Sequence, residues 1–304
     1  MKKNPLGHSS LHVSEVGFGC MSLGGDYSSN EKLIHKAIDS GINYFDTADL
    51  YQFGLNEQSV GKSLKGKRND VILATKGGNE WGDGIDGWRW NPSKSYLKNA
   101  VKKSLQRLGT DYIDLYQLHG GTIDDPIDET IEAFEELVQE GAIRYYGISS
   151  IRPNVIKKYL KKSNIVSVMM QYSMLDRRPE EWFHLFNENN VSVIARGPLA
   201  KGILTSNHEN KLNNDGYLTY SKNELDKILP ALMKIAKDNG YTFEQLALRY
   251  TIDRKVVASA IPGASNLSQL EANVSASTLN PIDAEHINKI NSFLKRDLYE
   301  KHRD

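Results

Sequence analysis

The sequence predicts an α/β protein, a (β/α)8 TIM barrel with an N-terminal β-hairpin and an extra C-terminal helix. Short apolar segments alternate with amphipathic segments along the whole chain, which is the pattern of a parallel sheet. The alternation gives eight strand–helix units, and 304 residues exceed the ~250 that a barrel takes before insertions. A doubly wound sheet fits less well, because Ser22 stands where a glycine-rich phosphate turn starting at Gly17 has its third glycine.

The first four units follow a predicted hairpin over residues 1–13, which turns near Ser9 and caps the bottom of the barrel. Strands are predicted at residues 16–18, 44–46, 71–75 and 113–118, and helices at 29–40, 56–64, 92–108 and 127–141. Apolar residues at helical spacing support the helices, and Gly141 ends the fourth. Residues 77–91 are predicted to form a long loop rich in glycine and tryptophan.

The last four units contain a second long excursion, the polar, glycine-punctuated segment 202–220. Pro153 is predicted to lie in the first turn of the helix after strand five. Strands are predicted at 145–149, 165–171, 191–195 and 256–261, and helices at 179–189, 222–239, 242–251, from 267 onward, and 281–294. No low-complexity linker divides the chain, so residues 1–304 are predicted to form one domain.

Charge and composition narrow the choice of partners. The chain has 38 basic and 38 acidic residues, and this neutrality argues against nucleic acid or an anionic membrane as the main partner. A single cysteine, Cys20, and the absence of a signal peptide or an apolar run of ~20 residues favour the cytoplasm. The histidines have no metal-ligand spacing, so no metal site is predicted and the expected partner is a small molecule.

Three predicted strands end in a side chain that carries chemistry: Asp46, Lys76 and His119, with Tyr51 five residues beyond the first. The C-terminal ends of barrel strands meet at one rim, where barrel enzymes have their active sites. A free tyrosine has a pKa near ~10, too high for efficient proton transfer at neutral pH, and a nearby ammonium favours the phenolate. Lys76 is positioned to supply that ammonium and Asp46 to keep it charged.

Each of these residues also has a plain structural explanation when taken alone. Asp46 caps a turn, Lys76 is a solvated loop lysine, and Tyr51 is one of 15 tyrosines. His119 is equally well explained as a rim histidine beside a tight Gly120-Gly121 turn. The group, all at strand ends, favours proton transfer to a carbonyl, with a neutral imidazole donating a hydrogen bond to its oxygen.

Two further segments predict ligand contacts. Residues 196–202 follow strand seven and residues 262–266 follow strand eight, where barrels often bind phosphate at a helix N-terminus. Ordinary turn glycines and a helix cap explain the same pattern. Trp81, Trp88 and Trp90 either fold over an apolar ligand or pack on the barrel wall.

Taken together, these motifs resemble the aldo-keto reductase family over nearly the whole chain. The segments that carry the resemblance are 17–19, 45–48 with Tyr51, 56–57 before Gly61, 75–76, 111–115 leading to His119, 147–149, 171–173, 198–199 with Gly202, and 261–264 with Gln269 and Asn273. The resemblance implies a catalytic tetrad of Asp46, Tyr51, Lys76 and His119. It also implies a dinucleotide extended across the rim, with a carbonyl compound against Tyr51 and His119. Of the loop tryptophans, Trp88 is predicted to contact that compound.

The cofactor contacts implied by the resemblance lie at the ends of most strands. Gln171 is expected against the nicotinamide face and Ser149 against its carboxamide. The full expected set is Gly19, Met21, Asp46, Ser149, Ser150, Gln171, Arg196, Gly197, Pro198, Leu199, Lys201, Gly202, Gly263, Ser265, Gln269 and Asn273.

The sequence departs from the usual family pattern in three respects. Ser150 replaces an asparagine after strand five, and Arg196 stands where an aromatic ring often stacks on the nicotinamide. Ser265, Asn266 and Gln269 stand where many members have lysine or arginine against the 2′-phosphate of NADPH. NADPH remains the expected cofactor, with NADH as the alternative.

The expected function is NAD(P)H-dependent reduction of an aldehyde or ketone to an alcohol, with Tyr51 as general acid. One alternative is a regulatory subunit that binds the nucleotide and turns over little. Another is a barrel enzyme that binds no nicotinamide nucleotide. The sequence does not indicate the substrate or the oligomeric state.

Overall fold

A computed structural model describes residues 1–303, and its twelve strands form one large sheet and two small ones. Eight strands lie parallel in the order β3-β4-β5-β8-β9-β10-β11-β12. The strands are β1 (Lys3–Pro5), β2 (His12–Ser14), β3 (Phe18–Gly19), β4 (Tyr44–Asp46), β5 (Ile72–Gly77), β6 (Asn79–Glu80), β7 (Arg89–Trp90), β8 (Ile113–Leu118), β9 (Ile143–Ser149), β10 (Ser167–Gln171), β11 (Ser192–Arg196) and β12 (Val257–Ile261).

The edge strands of the large sheet, β3 and β12, meet and close it into a barrel. Val16 forms a parallel bridge with Ala260, and the amide of Gly17 donates to the Ala260 carbonyl oxygen over 2.8 Å. Farther along, the amide of Gly19 donates to the Pro262 carbonyl oxygen over 3.1 Å. The predicted eight-stranded parallel barrel is confirmed.

Ten α-helices are present among the described residues, and most lie between consecutive barrel strands. They are α1 (Tyr27–Asp39), α2 (Leu55–Ser63), α3 (Lys94–Leu108), α4 (Ile127–Gln139), α5 (Pro153–Lys162), α6 (Phe183–Glu188), α7 (Lys222–Asp238), α8 (Phe243–Ile252), α9 (Leu267–Ser275) and α10 (Ala284–Phe293). Helix α10 is the extra C-terminal helix predicted beyond the eighth unit. The buried aliphatic side chains of the helices pack on the outer faces of the strands.

The antiparallel hairpin β1–β2 closes the N-terminal end of the barrel, as predicted. Its side chains Leu6, Leu11 and Val13 are buried with inward-facing residues that include Ile72 and Leu115. Burying each of these side chains stabilises the fold by about 1.5–3 kcal/mol. With the bottom filled, a ligand reaches the interior only from the C-terminal rim.

Local structure differs from the sequence prediction in two places. Residues 79–80 and 89–90 pair as strands β6 and β7 inside the segment predicted as loop, held by a 2.8 Å ion pair between Arg89 and Glu80. The helix predicted at 179–189 is a 3₁₀ turn, Arg178–Trp182, followed by the short α6.

The last ten described residues, 294–303, form an extended segment that we call the C-terminal arm. The amide of Lys295 donates to the Tyr220 hydroxyl (2.6 Å), and the amide of Asn154 at the start of α5 donates to the His302 carbonyl oxygen (2.9 Å). An ion pair between Arg303 and Glu181 (2.7 Å) adds a third attachment. The arm therefore crosses the C-terminal rim beside the loops after β9 and β11.

No helix within residues 1–303 combines the length and apolar character needed to span a membrane. The cytoplasmic location and the single domain stay predictions.

Candidate active site

Lys76 is the centre of a hydrogen-bonded group at the C-terminal rim. Its ammonium donates to Asp46 Oδ1 (2.5 Å), to the Thr47 carbonyl oxygen (2.7 Å) and to the Tyr51 hydroxyl (3.4 Å). Lys76 and Asp46 are almost completely buried, whereas Tyr51 is partly exposed. The three side chains thus run from the barrel interior outward to a phenol at the surface of the mouth.

Strand register brings the four predicted residues together. Asp46 pairs with Ala74 on β5, and Lys76 pairs with Gln117 on β8. The amide of His119 donates to the Gly77 carbonyl oxygen (2.8 Å), which extends the ladder by one residue. The Tyr51 and His119 rings then meet edge to face, with centroids 6.0 Å apart and planes at 83°.

Gln117 also belongs to this group, and sequence reasoning missed it. Its side-chain amide donates to Asp46 Oδ2 over 3.2 Å, so both carboxylate oxygens of Asp46 have partners. Gln117 lies two residues before His119 and faces the same side of β8, because side chains alternate along a strand. A buried polar side chain near the C-terminal end of β8 was the available signal.

Burial and ion pairing act in opposite directions on the Asp46–Lys76 pair. Burial alone lowers the pKa of Lys76, but Asp46 and Tyr51 outweigh it and the pKa of Lys76 is raised. Burial raises the pKa of Asp46, while Lys76 and Gln117 oppose that shift. Lys76 is therefore an ammonium at neutral pH, as its three acceptors require.

His119 is neutral. Burial lowers the pKa of the imidazole to about 3, and the positive charges of Lys76 and Arg196 act in the same direction. Its Nδ1 is buried and has no hydrogen-bond partner among residues 1–303. A neutral imidazole in the cleft wall is suited to orient a carbonyl oxygen by a hydrogen bond.

The turn after Tyr51 is strained. Gln52 and Phe53 both have positive φ angles, 50° and 48°, a backbone conformation that residues other than glycine rarely adopt. The Gln52 side-chain amide donates to the Leu23 carbonyl oxygen (3.1 Å), and the Phe53 ring packs edge-on against Trp81. These contacts hold a turn that fixes the position of the Tyr51 phenol.

A second buried polar cluster lies behind Lys76. Glu57 accepts hydrogen bonds from Thr75 Oγ1 (2.6 Å) and from Arg107 Nε (2.6 Å). Asp49 lies beside this pair, and burial together with the charge of Glu57 raises the pKa of Asp49 to about 8. Asp49 therefore holds a proton at neutral pH.

A cleft of about 960 Å³ runs from Tyr51 and His119 across the rim. This volume lies at the upper end of the range for ligand sites. Its wall includes seventeen of the predicted residues: Gly19, Met21, Asp46, Tyr51, Lys76, His119, Ser149, Gln171, Arg196, Gly197, Pro198, Leu199, Lys201, Gly202, Gly263, Gln269 and Asn273.

The far end of the cleft is built from two turns. After β11, three consecutive residues, Ala200, Lys201 and Gly202, have positive φ angles of 48°, 58° and 92°. After β12, Gly263 lies so close to Ser22 that a Cβ atom would come within 2.8 Å of its hydroxyl. Such turns allow backbone N–H groups to approach an anion closely.

A family model confirms what this geometry indicates. The model described as the aldo/keto reductase family matches residues 15–295. The chain belongs to the aldo/keto reductase family. Members of this family are oxidoreductases that bind a nicotinamide cofactor.

Individual relatives agree with this assignment. An uncharacterised oxidoreductase of Bacillus subtilis, YqkF, is 55% identical, with both chains covered completely. The holo form of aldo-keto reductase AKR11C1 from Bacillus halodurans is 58% identical, has a TM-score of 0.95 and is covered completely, as is this chain. An aldo-keto reductase of Schizosaccharomyces pombe, named with NADP(+), is 31% identical, with 90% of this chain and 86% of that protein covered.

Three of the predicted residues are not part of the cleft wall. Ser150 lines a neighbouring cavity, and Ser265 instead donates to the Gln269 side chain from its amide and its hydroxyl. Trp88 is 52% exposed and lies outside the wall, because the β6–β7 pairing turns Trp90 rather than Trp88 inward. A substrate contact by Trp88 stays a prediction that this geometry does not support.

This aldo-keto reductase also has cleft residues that sequence reasoning missed, seven of them from the excursion 202–220 and the start of α8. They are Ser22, Met169, Thr205, Ser206, Asn207, Lys211, Tyr217, Thr242, Glu244, Ile261, Ser268, Ala272 and Ser275. The excursion is polar and irregular, so no periodic pattern marks which side chains face inward. Among residues 1–303 no group of three or more metal-ligand side chains is arranged to hold an ion.

Proposed function

We propose that this aldo-keto reductase reduces an aldehyde or ketone to an alcohol with NADPH. The observation that carries the proposal is the Lys76 ammonium, which donates to the buried Asp46 and to the Tyr51 hydroxyl beside a neutral His119. These are the groups that proton transfer to a carbonyl oxygen requires. All four residues line the same cleft, whose volume is about 960 Å³.

In the proposed mechanism, the Tyr51 hydroxyl donates its proton to the carbonyl oxygen of the substrate. The Lys76 ammonium stabilises the phenolate that remains, and Asp46 with Gln117 fixes the position of that ammonium. His119 donates an N–H to the carbonyl oxygen and so aligns it with the phenol. The bound nicotinamide nucleotide supplies the hydride that the carbonyl carbon receives.

The cleft wall fits the phosphate groups of a dinucleotide. Residues 197–199, 201–202 and 262–263 of the two backbone turns border it, and Lys201 and Lys211 are the lysines of the wall apart from the buried Lys76. The Lys211 ammonium has no hydrogen bond or ion pair with residues 1–303, whereas the Lys211 backbone amide donates to the His208 carbonyl oxygen. An unpaired ammonium in a cleft wall supports binding of a phosphate, and the S. pombe relative is named with NADP(+).

A single substitution tests the mechanism. Tyr51→Phe removes the phenolic proton and keeps the ring, so we expect kcat on a carbonyl panel to fall by about 10²–10⁴-fold. The affinity for NADPH, followed by its fluorescence, should change less than about twofold. Near-normal kcat in this variant would contradict the role of Tyr51.

Nucleotide titration and the carbonyl panel, applied to the wild-type protein, separate the alternative functions. A regulatory subunit would bind NADPH and reduce no carbonyl in the panel, even with Tyr51 present. A barrel enzyme without a nicotinamide cofactor would leave the fluorescence of NADPH and NADH unchanged on mixing.

A further inference from the structure

A second cavity of about 550 Å³ lies beside the mouth of the cleft. It shares Ser149, Met169 and Arg196 with the cleft wall, so the two spaces adjoin. Residues 297–302 of the C-terminal arm form one side of it. A substrate with its carbonyl group at Tyr51 and His119 has this cavity next to it.

Most charges around this cavity are already compensated. Arg178 pairs with Asp176 over 2.8 Å and stacks on the Tyr299 ring, 4.8 Å from its centroid. Asp297 accepts a hydrogen bond from the Thr219 hydroxyl. Glu300 and Lys301 are exposed neighbours of opposite charge.

Arg152 and Arg196 are the exceptions. Both are partly buried in the cavity wall, and no carboxylate of residues 1–303 forms an ion pair with either one. Arg152 donates to the Gly121 carbonyl oxygen, and Arg196 donates to Gln171 Oε1 over 3.1 Å. Each guanidinium has five N–H donors, so most of these donors remain available to an anion.

We propose that Arg152 and Arg196 bind an anionic group, a carboxylate or a phosphate, carried by the carbonyl substrate. This inference rests on the proposed function and adds a substrate class to it. Two guanidinium groups suit an oxyanion because their planar donors match its geometry. The apolar side chains of Ile151, Met169 and Leu298 line the same cavity and suit the short carbon chain between carbonyl and anion.

Matched pairs of substrates test the proposal. One pair is 4-oxobutanoate and its uncharged methyl ester, and the other is glyceraldehyde 3-phosphate and glyceraldehyde. We expect kcat/KM at low ionic strength to be about tenfold or more higher for the charged member of at least one pair. The pair that shows the preference identifies carboxylate or phosphate as the anion, and added salt should reduce the preference.

Variants then assign the preference to the cavity. Arg152→Gln should remove most of it through a rise in KM for the charged substrate, and Arg152→Lys should restore part of it. Lys162→Gln is the matched control, because it removes a positive charge that pairs with Asp128 on the outer helices. Thermal unfolding and NADPH titration of each variant confirm that it is folded.

Two results would overturn this inference alone. One is equal kcat/KM for charged and uncharged members of both pairs in the wild-type protein. The other is an equal loss on both members in Arg152→Gln. No turnover of any carbonyl by protein saturated with nucleotide would instead contradict the proposed function.

Discussion

The buried pair of Asp46 and Lys76 puts a positive charge under the Tyr51 phenol where water cannot screen it. Two charges with side-chain exposures of 3% and 1% are costly to bury, and only their pairing offsets that cost. The Thr47 carbonyl oxygen and the Gln117 amide complete the hydrogen bonds of the pair. The pair is therefore required by the proposed chemistry and is a weak contributor to stability.

Substitutions in this pair should separate activity from stability. Lys76→Met leaves an unpaired buried carboxylate, so we expect the free energy of unfolding to fall by about 3–5 kcal/mol. Adding Asp46→Asn to that variant removes the stranded charge and should restore much of the loss, while kcat stays near zero. Urea unfolding of the wild type and both variants measures this, and recovery of activity in the double variant would contradict the role of Lys76.

His119 should affect the rate without setting the pH dependence. Its pKa of about 3 keeps the ring neutral at every pH above about 4. We expect His119→Gln to lower kcat/KM by about 10²-fold, the loss typical of one donor to a developing oxyanion. The profile of log kcat/KM between pH 5 and 8 should keep its shape. If the wild-type profile had an acid limb near pH 6 and His119→Gln lacked it, the assignment of a neutral His119 would be wrong.

At the scale of single residues, the sequence predicted the site residues at the ends of strands and missed site residues at other positions. Asp46, Lys76 and His119 were found because parallel strands bring their C-terminal ends together. Gln117 was missed because its partner, Asp46, is 71 positions away, and only the β4–β5 and β5–β8 registers together bring the two into contact. Arg152 and Arg196 could not be paired from sequence, because Arg152 follows β9 whereas Arg196 is the last residue of β11.

At the scale of elements, the segment between β4 and α2 carries both Tyr51 and a buried acid. Asp49 N donates to the Lys76 carbonyl oxygen over 3.2 Å, while its side-chain Oδ1 has no partner among residues 1–303. The folded protein holds a proton on Asp49 up to a pH of about 8, whereas an unfolded aspartate releases it near 3.8. Between these values the folded state binds more protons, so stability falls as pH rises.

Asp49→Asn should remove this pH dependence. We expect the wild type to lose up to ~1.4 kcal/mol of stability per pH unit from Asp49 between pH 5 and 8. The asparagine variant should therefore gain stability relative to the wild type as pH rises across that range, measured by urea unfolding at both ends.

A surface acid provides the control for Asp49. The pKa of Asp26 is lowered by hydrogen bonds from the hydroxyl and amide of Ser29. Asp26 is thus ionised from pH 5 to 8, and Asp26→Asn should change stability equally at both ends. Parallel behaviour of the Asp49 and Asp26 variants would contradict a protonated Asp49.

Elements with a strong period were predictable, and irregular segments were not. Helix α4 follows its apolar stripe closely, with Ile127, Ile131 and Phe134 buried. The hairpin β6–β7 was missed because each strand has two residues, too few for an alternation to appear. Its Trp90 packs on the core and donates to Asp125 over 2.9 Å, a partner that lies beyond β8 and α3.

At the scale of the whole molecule, zero net charge coexists with positive charge in the cleft. The loop after β12 has no basic residue between Ile261 and Asn273, as the sequence already indicated. The structure instead brings Lys211 into the wall from the excursion 202–220, where its stem packs over Gly202. Because Lys211 comes from a different loop, the sequence position of the missing basic residues gives no reason to prefer NADH.

Lys211 should accordingly contribute to selection of NADPH. Lys211→Gln removes an unpaired ammonium from the wall, so we expect the Kd for NADPH to rise about tenfold, as for loss of a charge-assisted phosphate contact. The Kd for NADH should change less than about twofold, and the salt dependence of NADPH binding should weaken. Lys237→Gln, a charge loss on the outer helix α7, is the matched control. An equal rise in the Kd for NADPH and for NADH would indicate that Lys211 contacts the pyrophosphate, which both nucleotides carry, and not the 2′-phosphate. That result would contradict its role in selecting NADPH.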